Sequence, residues 1–372
     1  RPPMTDAFER RTRDAQRRLR EVGVDGLVLF PSNNLLYTSG FAESPSERHL
    51  LLFVPAEADP VFLVPELYGE QIREESWVTD VHTWSDDEDP KPHIQRIADE
   101  LGVAGGHLLV DDTMWALFTQ DLETVLPEVT FGLAGDVLGD LRCRKDETEL
   151  DAMRAAAAVA DETVRDLRDL GEAVLGTTEA ELAEEIEALL ESNGGDGVSF
   201  EVIVGSGPNG AKPHHSHGDR TIESGDPVVL DFGTRVDHYP SDQTRTLVFG
   251  GEPGETYREV HDVVREAQQA GVEAVAPGVT AGAVDAATRE VIEDAGYGEQ
   301  FIHRTGHGVG LDVHEEPYIV AGSDRMLEPG MVFSVEPGIY LPGEFGVRIE
   351  DLVVVTDDGC ERLNETGRGW RC

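Results

Sequence analysis

Residues 228–246 read VVLDFGTRVDHYPSDQTRT, and the placement of two acids in that stretch decides the reading of the chain. Pro227–Gly233 is an apolar, β-branched run of strand character, and Ser241–Phe249 reads as the next strand. A hairpin turning between Val236 and Asp237 sets Asp231 opposite Asp242. Residues directly opposed in an antiparallel ladder have Cβ atoms roughly 4.5–5.5 Å apart. Two carboxylates at that separation repel each other unless a cation lies between them.

A second pair follows the same logic. Met331–Ile339 and Gly346–Val355 read as strands, and Leu341-Pro342-Gly343-Glu344 between them is turn chemistry. Glu336 and Glu350 are equidistant from Gly343, so this hairpin also brings two carboxylates face to face. His307 lies between the hairpins in the glycine-rich stretch TGHGVGLDVHEEP.

The chain has 74 acidic residues, so a single Asp or Glu is ordinarily a solvated surface group, and a histidine beside glycines is ordinarily a loop residue. Asp231 and Glu336, however, follow Val228-Val229-Leu230 and Met331-Val332-Phe333-Ser334-Val335, where an uncompensated charge is expensive. Four carboxylates balance two divalent cations, and a bridging hydroxide leaves the site near neutrality. Oxygen-rich ligation with one imidazole and no thiolate suits Mn2+ or Co2+ first, with Zn2+ or Fe2+ as alternatives, and does not suit a structural zinc site. Paired cations of this kind activate water in hydrolases.

At KPHHSHGDRTIESGDPVVLDFG (212–233), SDQTRT (241–246), GHGVGLDVHEEP (306–317), VEPGIY (335–340) and GVRIED (346–351), the chain resembles the pita-bread metallopeptidases. These include methionine aminopeptidase, aminopeptidase P and prolidase, with creatinase as a metal-free relative. The resemblance runs from Cys143 to the C-terminus, and all five ligand positions are filled. It implies that Asp231 chelates one metal, Asp242 and Glu350 bridge both, and His307 and Glu336 bind the other, with Glu336 as proton shuttle. It also places His214, His303 and His314 among the substrate-handling, catalytic histidines, whereas His215 and His217 are expected as exposed loop residues. Arg348, two residues before Glu350, is expected on the same strand face, either as an electrostatic brace for that bridging carboxylate or as a surface arginine. Gln243 departs from the pattern, since the family commonly has an apolar residue there. Methionine aminopeptidase usually lacks an N-terminal domain of the kind seen here, and creatinase lacks the complete metal set. The resemblance therefore implies a prolidase-like enzyme cutting the Xaa-Pro bond of dipeptides. A close alternative is an Xaa-Pro aminopeptidase acting on longer peptides. The readings from another class are a non-catalytic pita-bread binding module or a creatinase-type amidinohydrolase, and the intact ligand set argues against both. Homodimerisation is expected from the same resemblance.

Acids outnumber bases by 74 to 30, a net charge of −44. A field of that sign opposes nucleic acid and anionic membranes. It also repels itself until salt screens it. With few lysines and acids spread through patterned segments, the composition looks like that of a protein from a salt-loving cytoplasm. Folding is therefore expected to need high salt. Circular dichroism after dialysis into dilute buffer checks this: loss of structure is expected, and full retention would contradict it. Three scattered cysteines, Cys143, Cys360 and Cys372, read as reduced thiols. The opening RPPMTDAFERRTRDAQRRLR has no apolar signal core, and the location expected is the cytoplasm. Met4 reads as a natural start, with Arg1–Pro3 a remnant of something upstream.

Residues 1–139 read as an α/β unit of the creatinase/prolidase N-terminal type, GVDGLVLFPSNNLLYTSGF being the segment that carries this second resemblance. A helix over Ala7–Glu21 precedes strands at Gly26–Phe30, His49–Val54, Pro60–Val64 and His107–Val110, and the polar Asp80–His93 is expected as a surface loop. Residues 140–372 form the α+β catalytic unit. Helices are expected from Asp146 to Leu170, Thr178 to Ser192, Thr256 to Ala276 and Thr280 to Ala295, with Thr178 and Glu181 as a capping box. Helix-helix-hairpin thus occurs twice, the duplication characteristic of the pita-bread pattern. Glycine-rich 192–200 and 204–218 are expected at the pocket rim.

Overall fold

The computed structural model describes residues 3–372; Arg1 and Pro2, on which the expectation of an upstream remnant partly rests, lie outside the described residues. In it, the stretch 228–246 turns one residue later than the spacing suggests. Val236 pairs with Tyr239 and Arg235 with Pro240, so the turn is Asp237-His238, both with positive φ (48° and 72°). Positive φ at both central residues is the requirement of a two-residue type I′ hairpin, whose twist matches that of its strands. The ladder is shifted accordingly, and Asp231 opposes Thr244 instead of Asp242. The offset is two residues, so side-chain parity is kept: Asp242 stays on the face of Thr244, diagonal to Asp231.

The second hairpin has the expected register. Gly338 pairs with Arg348 and Leu341 with Phe345, and farther out Val335 pairs with Asp351. The intervening step places Glu336 across from Glu350. The expected long strands are each split here, into Val332–Val335 and Gly338–Leu341, and into Phe345–Arg348 and Asp351–Val355. Pro337 offers no N–H to a ladder, which breaks pairing beside Glu336. Glu350 bridges instead to Thr244 of the first hairpin, its N–H donating to the Thr244 carbonyl at 3.1 Å.

The chain divides into two compact units after Arg142. The expected division after Gly139 falls inside the helix Gly135–Cys143. The first unit is a six-stranded mixed sheet in the order Asp80–Trp84, Val61–Pro65, Leu51–Pro55, Gly26–Leu29, His107–Val110, Thr130–Leu133. Alternate residues of its inner strands enter opposite cores: Leu27, Leu52 and Phe62 one, Val28, Phe53 and Leu63 the other. That alternation is the mark of a sheet buried on both faces. The expected loop at 80–93 is instead an edge strand, Asp80–Trp84, followed by the start of the helix Lys91–Glu100. At an edge only part of the strand is covered: Trp84 is buried and Asp80 exposed, so the strand carries polar residues without an apolar pattern to announce it.

In the second unit the helices Glu147–Leu170 and Glu179–Ser192 begin with complete capping boxes, Asp146 with Glu149 and Thr178 with Glu181. Residues from both pack with the inner face of a three-stranded sheet formed by Ile203–Ser206, Val228–Phe232 and Gln243–Leu247. The helices Glu255–Glu273 and Ala281–Asp294 form the second pair, and Val272, Val275 and Val284 share a core with Phe333, Val335 and Val353 of a five-stranded sheet. The Thr244–Glu350 bridge joins the two sheets, and the conspicuous acids collect there. Gln243 is fully buried beside this joint, where its Nε2 donates to Asp161 Oδ1 at 2.9 Å and Thr366 Oγ1 at 2.8 Å. The helix and the C-terminal segment thus supply acceptors for its amide nitrogen, while its Oε1 is buried without a partner among the described residues. No helix among the described residues is long and apolar enough to cross a membrane.

Candidate metal centre

Asp231 stands on Val228–Phe232, Asp242 just before Gln243–Leu247, His307 on Gly306–Gly308, and Glu336 and Glu350 at the two strand breaks. All five line one cavity of about 320 Å³. Ligand-type atoms of Asp242, His307 and Glu350 lie within 4.8 Å of one another. His307 Nε2 is 3.3 Å from Glu336 Oε1 and 3.6 Å from Asp242 Oδ2. Its Nδ1 sits 3.1 Å from the Gly308 carbonyl, which fixes the proton on Nδ1 and leaves Nε2 as a lone-pair donor. Burial first, and the nearby Arg304 charge after it, push the His307 pKa down to about 4, so the ring is neutral in neutral solution.

The carboxylates behave in the opposite sense. Burial, reinforced by Asp231 and Glu336, holds Asp242 well above the usual carboxylate range. Burial and then Asp242 do the same to Glu350, and burial raises Glu336. Asp231 Oδ1 and Glu350 Oε1 are buried and have no hydrogen-bond partner among the described residues. Orphaned buried carboxylate oxygens are costly, and a cation is the partner their chemistry calls for. The donor set, neutral imidazole and clustered carboxylates around two orphaned oxygens, fits divalent metal ions.

Arg348 differs from the expectation. It does not bond Glu350; its Nη2 donates to Asp231 Oδ2 at 2.6 Å, its Nη1 to the Tyr340 hydroxyl at 2.9 Å, and its Nε to Thr244 Oγ1 at 3.3 Å. The Thr244–Glu350 bridge lays the two hairpins side by side, so the long side chain reaches past Thr244 to the far strand. Glu350 is held by Thr244 itself, whose hydroxyl donates to Oε2 at 2.6 Å. Arg245, also buried, anchors the same strand through the Glu350 carbonyl and Asp351 Oδ1, both at 2.7 Å.

The other histidines fall into two groups. His214 and His314 line the cavity with exposed side chains, the His314 ring centroid 4.0 Å from that of His307. His303 also lines the cavity, but both ring nitrogens are engaged: Nδ1 with the Arg304 carbonyl at 2.7 Å, Nε2 with the Tyr340 hydroxyl at 2.8 Å. With Nδ1 donating, Tyr340 donates to Nε2 and accepts from Arg348, so His303, Tyr340, Arg348 and Asp231 form one chain. His215 and His217 are not the exposed loop residues expected. His215 Nε2 bonds the buried Glu179 at 2.7 Å, and His217 Nδ1 bonds the Val202 carbonyl at 2.9 Å. They pin the loop, and His214 between them and Pro213 is left facing the cavity. Glu179 also accepts from Ser206 and Asn209, a role that its position as the first helical residue after a cap gave no reason to suspect. Tyr340 was legible only as a member of VEPGIY, and Thr244 only as a strand residue.

Residues 151–357 match metallopeptidase family M24, and residues 11–144 match the creatinase/prolidase N-terminal domain. The chain belongs to metallopeptidase family M24, with a creatinase-type N-terminal domain ahead of the pita-bread domain, and divalent metal ions are the family's cofactor. A protein described as probable dipeptidase PepE of Mycobacterium tuberculosis is 42% identical over 363 residues, which cover 96% of this chain and 95% of that one. An Xaa-Pro dipeptidase of Lactobacillus delbrueckii subsp. lactis is 38% identical over 362 residues, covering 94% and 95%. The crystal structure of a recombinant prolidase from Thermococcus sibiricus has a TM-score of 0.93 at 40% identity, covering 98% of each chain.

Proposed function

We propose that this protein is an Xaa-Pro dipeptidase, a metallo-exopeptidase that splits the bond between an N-terminal residue and proline. The observation that carries the proposal is the convergence of Asp231, Asp242, His307, Glu336 and Glu350 on one cavity with two buried carboxylate oxygens unpaired. These five residues would hold two divalent cations, Mn2+ or Co2+ by preference and Zn2+ or Fe2+ as alternatives. Bound there, such ions supply Lewis acidity and a nucleophilic water at neutral pH. Asp242 and Glu350 would each contribute carboxylate oxygens to that pair of ions.

The chain's own residues supply the rest. Glu336 Oε1 sits beside His307 Nε2 and accepts from Ser334 Oγ at 3.1 Å, so one oxygen is fixed and the carboxyl can hold and return a proton. His214 and His314, with exposed imidazoles at the cavity, would donate to the scissile carbonyl oxygen or amide nitrogen as charge develops. His303 supports the site by holding Tyr340, and through it Arg348 and Asp231. A proline amide has no N–H, so recognition rests on the ring's shape and on these donors. A homodimer acting on small peptides, without nucleic acid or membrane, completes the proposal.

The test compares an Xaa-Pro dipeptide with an Xaa-Pro-Yaa tripeptide, with Mn2+ or Co2+ in high salt. Hydrolysis of the dipeptide that disappears with chelator is the expected result. Cleavage of the tripeptide with comparable kcat/KM would overturn the dipeptidase assignment in favour of an aminopeptidase.

A further inference from the structure

His214 reaches the cavity from a segment, 207–220, built on the short turn Gly207–Ala211 and otherwise irregular. One carboxylate gathers this segment. Glu179, fully buried at the start of the helix Glu179–Ser192, accepts at Oε1 from the Ser206 N–H (2.8 Å), the Ser206 hydroxyl (2.7 Å) and Asn209 Nδ2 (3.0 Å). At Oε2 it accepts from His215 Nε2 (2.7 Å) and the Gly218 N–H (3.4 Å). The backbone repeats the tie: the Glu179 N–H donates to the Arg220 carbonyl at 3.0 Å and the Ala180 N–H to the Gly218 carbonyl at 3.1 Å. The turn Gly207–Ala211 also lies against the strand Phe345–Arg348, so closely that a Cβ on Gly346 would collide with the Gly210 carbonyl. His214 stands beside His215 and takes its place from this framework.

We propose that Glu179 and His215 are positioning residues for hydrolysis, and that they act by setting the His214 imidazole where it can donate to the scissile bond. The inference rests on the Xaa-Pro dipeptidase reading above and extends it to a carboxylate behind the cavity wall. An ionised carboxylate only accepts, so His215 Nε2 carries a proton and its bond to Glu179 is charge-assisted. Ser206 Oγ accepts from Arg220 Nη1 at 2.6 Å, which turns its own proton toward Glu179. All these bonds therefore run toward one buried oxygen pair, at a helix N-terminus that favours negative charge. Removing one donor weakens the set and frees the backbone beside His214. A catalytic group displaced by about 1 Å can lose on the order of a hundred-fold in rate. A pin that served only the fold would lower stability and leave the turnover of the folded molecule alone. A positioning pair changes kcat, and only while His214 is present.

The experiment uses the Mn2+-loaded enzyme with Ala-Pro. His215→Leu keeps a bulky side chain but offers Glu179 no donor. It is expected to lower kcat by about ten- to a hundred-fold, the scale of a hydrogen bond to a charged group, with KM little changed. His215→Gln, whose amide N–H can replace the Nε2 donor, is expected to recover most of that kcat. In a His214→Ala background, His215→Leu is expected to cost nothing further, because no imidazole is left to position. Mn2+ content and melting temperature establish that each variant is folded and loaded. Should His215→Leu not fold, His215→Asn, whose amide stops short of Glu179, takes its place. Unchanged kcat in His215→Leu, no recovery in His215→Gln, wild-type turnover in His214→Ala, or a full further loss in the double variant would overturn this inference and leave the peptidase reading intact. A metal-loaded wild type that does not cleave Ala-Pro would bring down the peptidase reading and this inference with it.

Discussion

Asp242→Asn is expected to abolish turnover and, at the same time, to make the metal-free protein more stable. The residue is 4% exposed, and burial together with Asp231 and Glu336 keeps its carboxyl well above the ordinary range. A raised folded-state value means that the metal-free fold binds protons more tightly than the unfolded chain. The resulting penalty is absent below the ordinary carboxylate value, about pH 4, and grows as pH rises toward the raised one. An amide of the same shape escapes it. In chelator at pH 7 to 8 the variant should melt several degrees above the wild type, at about 2–4 °C for each kcal/mol in a unit of this size. Near pH 4 the two should converge. With metal the order reverses, because a shared anionic ligand is missing, and kcat should fall at least about a thousand-fold, roughly 4 kcal/mol of lost transition-state stabilisation. Thermal melts with and without metal, beside a hydrolysis assay, check both halves. A variant that is less stable in chelator, or that keeps its turnover, contradicts the account.

Arg348→Met should be among the most destabilising substitutions near the site. The guanidinium is 3% exposed and bonds Asp231, Tyr340 and Thr244. Removing one partner of a buried pair strands the other, and this typically costs about 3–5 kcal/mol. The melting temperature of the metal-free protein should fall by about 10 °C. Metal should recover part of the loss, since a cation at Asp231 compensates the same charge. Arg348→Lys keeps a charge but not the three-way fork and should lie between. A melting temperature within about 2 °C of the wild type would show that the contact seen here contributes little. The burial of Tyr340, whose hydroxyl pKa is pushed up to about 12 with burial as the leading cause, makes it a fixed hydrogen-bonding link rather than a titrating group in the working range.

Much of this site is legible in sequence because its elements announce themselves locally. The capping box expected of Thr178 and Glu181 lies within four residues, and it forms. The Glu336–Glu350 register follows from a single glycine-centred turn. What could not be read depends on backbone detail or on distant neighbours. Positive φ at both Asp237 and His238 moves the first turn by one residue, and no glycine marks it. Even so, the slip keeps parity, so the expected site face survives a wrong register. Pro337 splits a run that its apolar content alone would continue. The edge strand Asp80–Trp84 lacks a pattern because water covers much of it. The partners of Arg348, His215 and Gln243 lie 117, 36 and 82 residues away in sequence, beyond any local reading.

The most direct test of the central claim is anomalous diffraction from crystals grown with Mn2+. Two peaks about 3.5–4 Å apart, enclosed by Asp231, Asp242, His307, Glu336 and Glu350, are the predicted result. No density among those five side chains, or metal bound only elsewhere on the acidic surface, would contradict it.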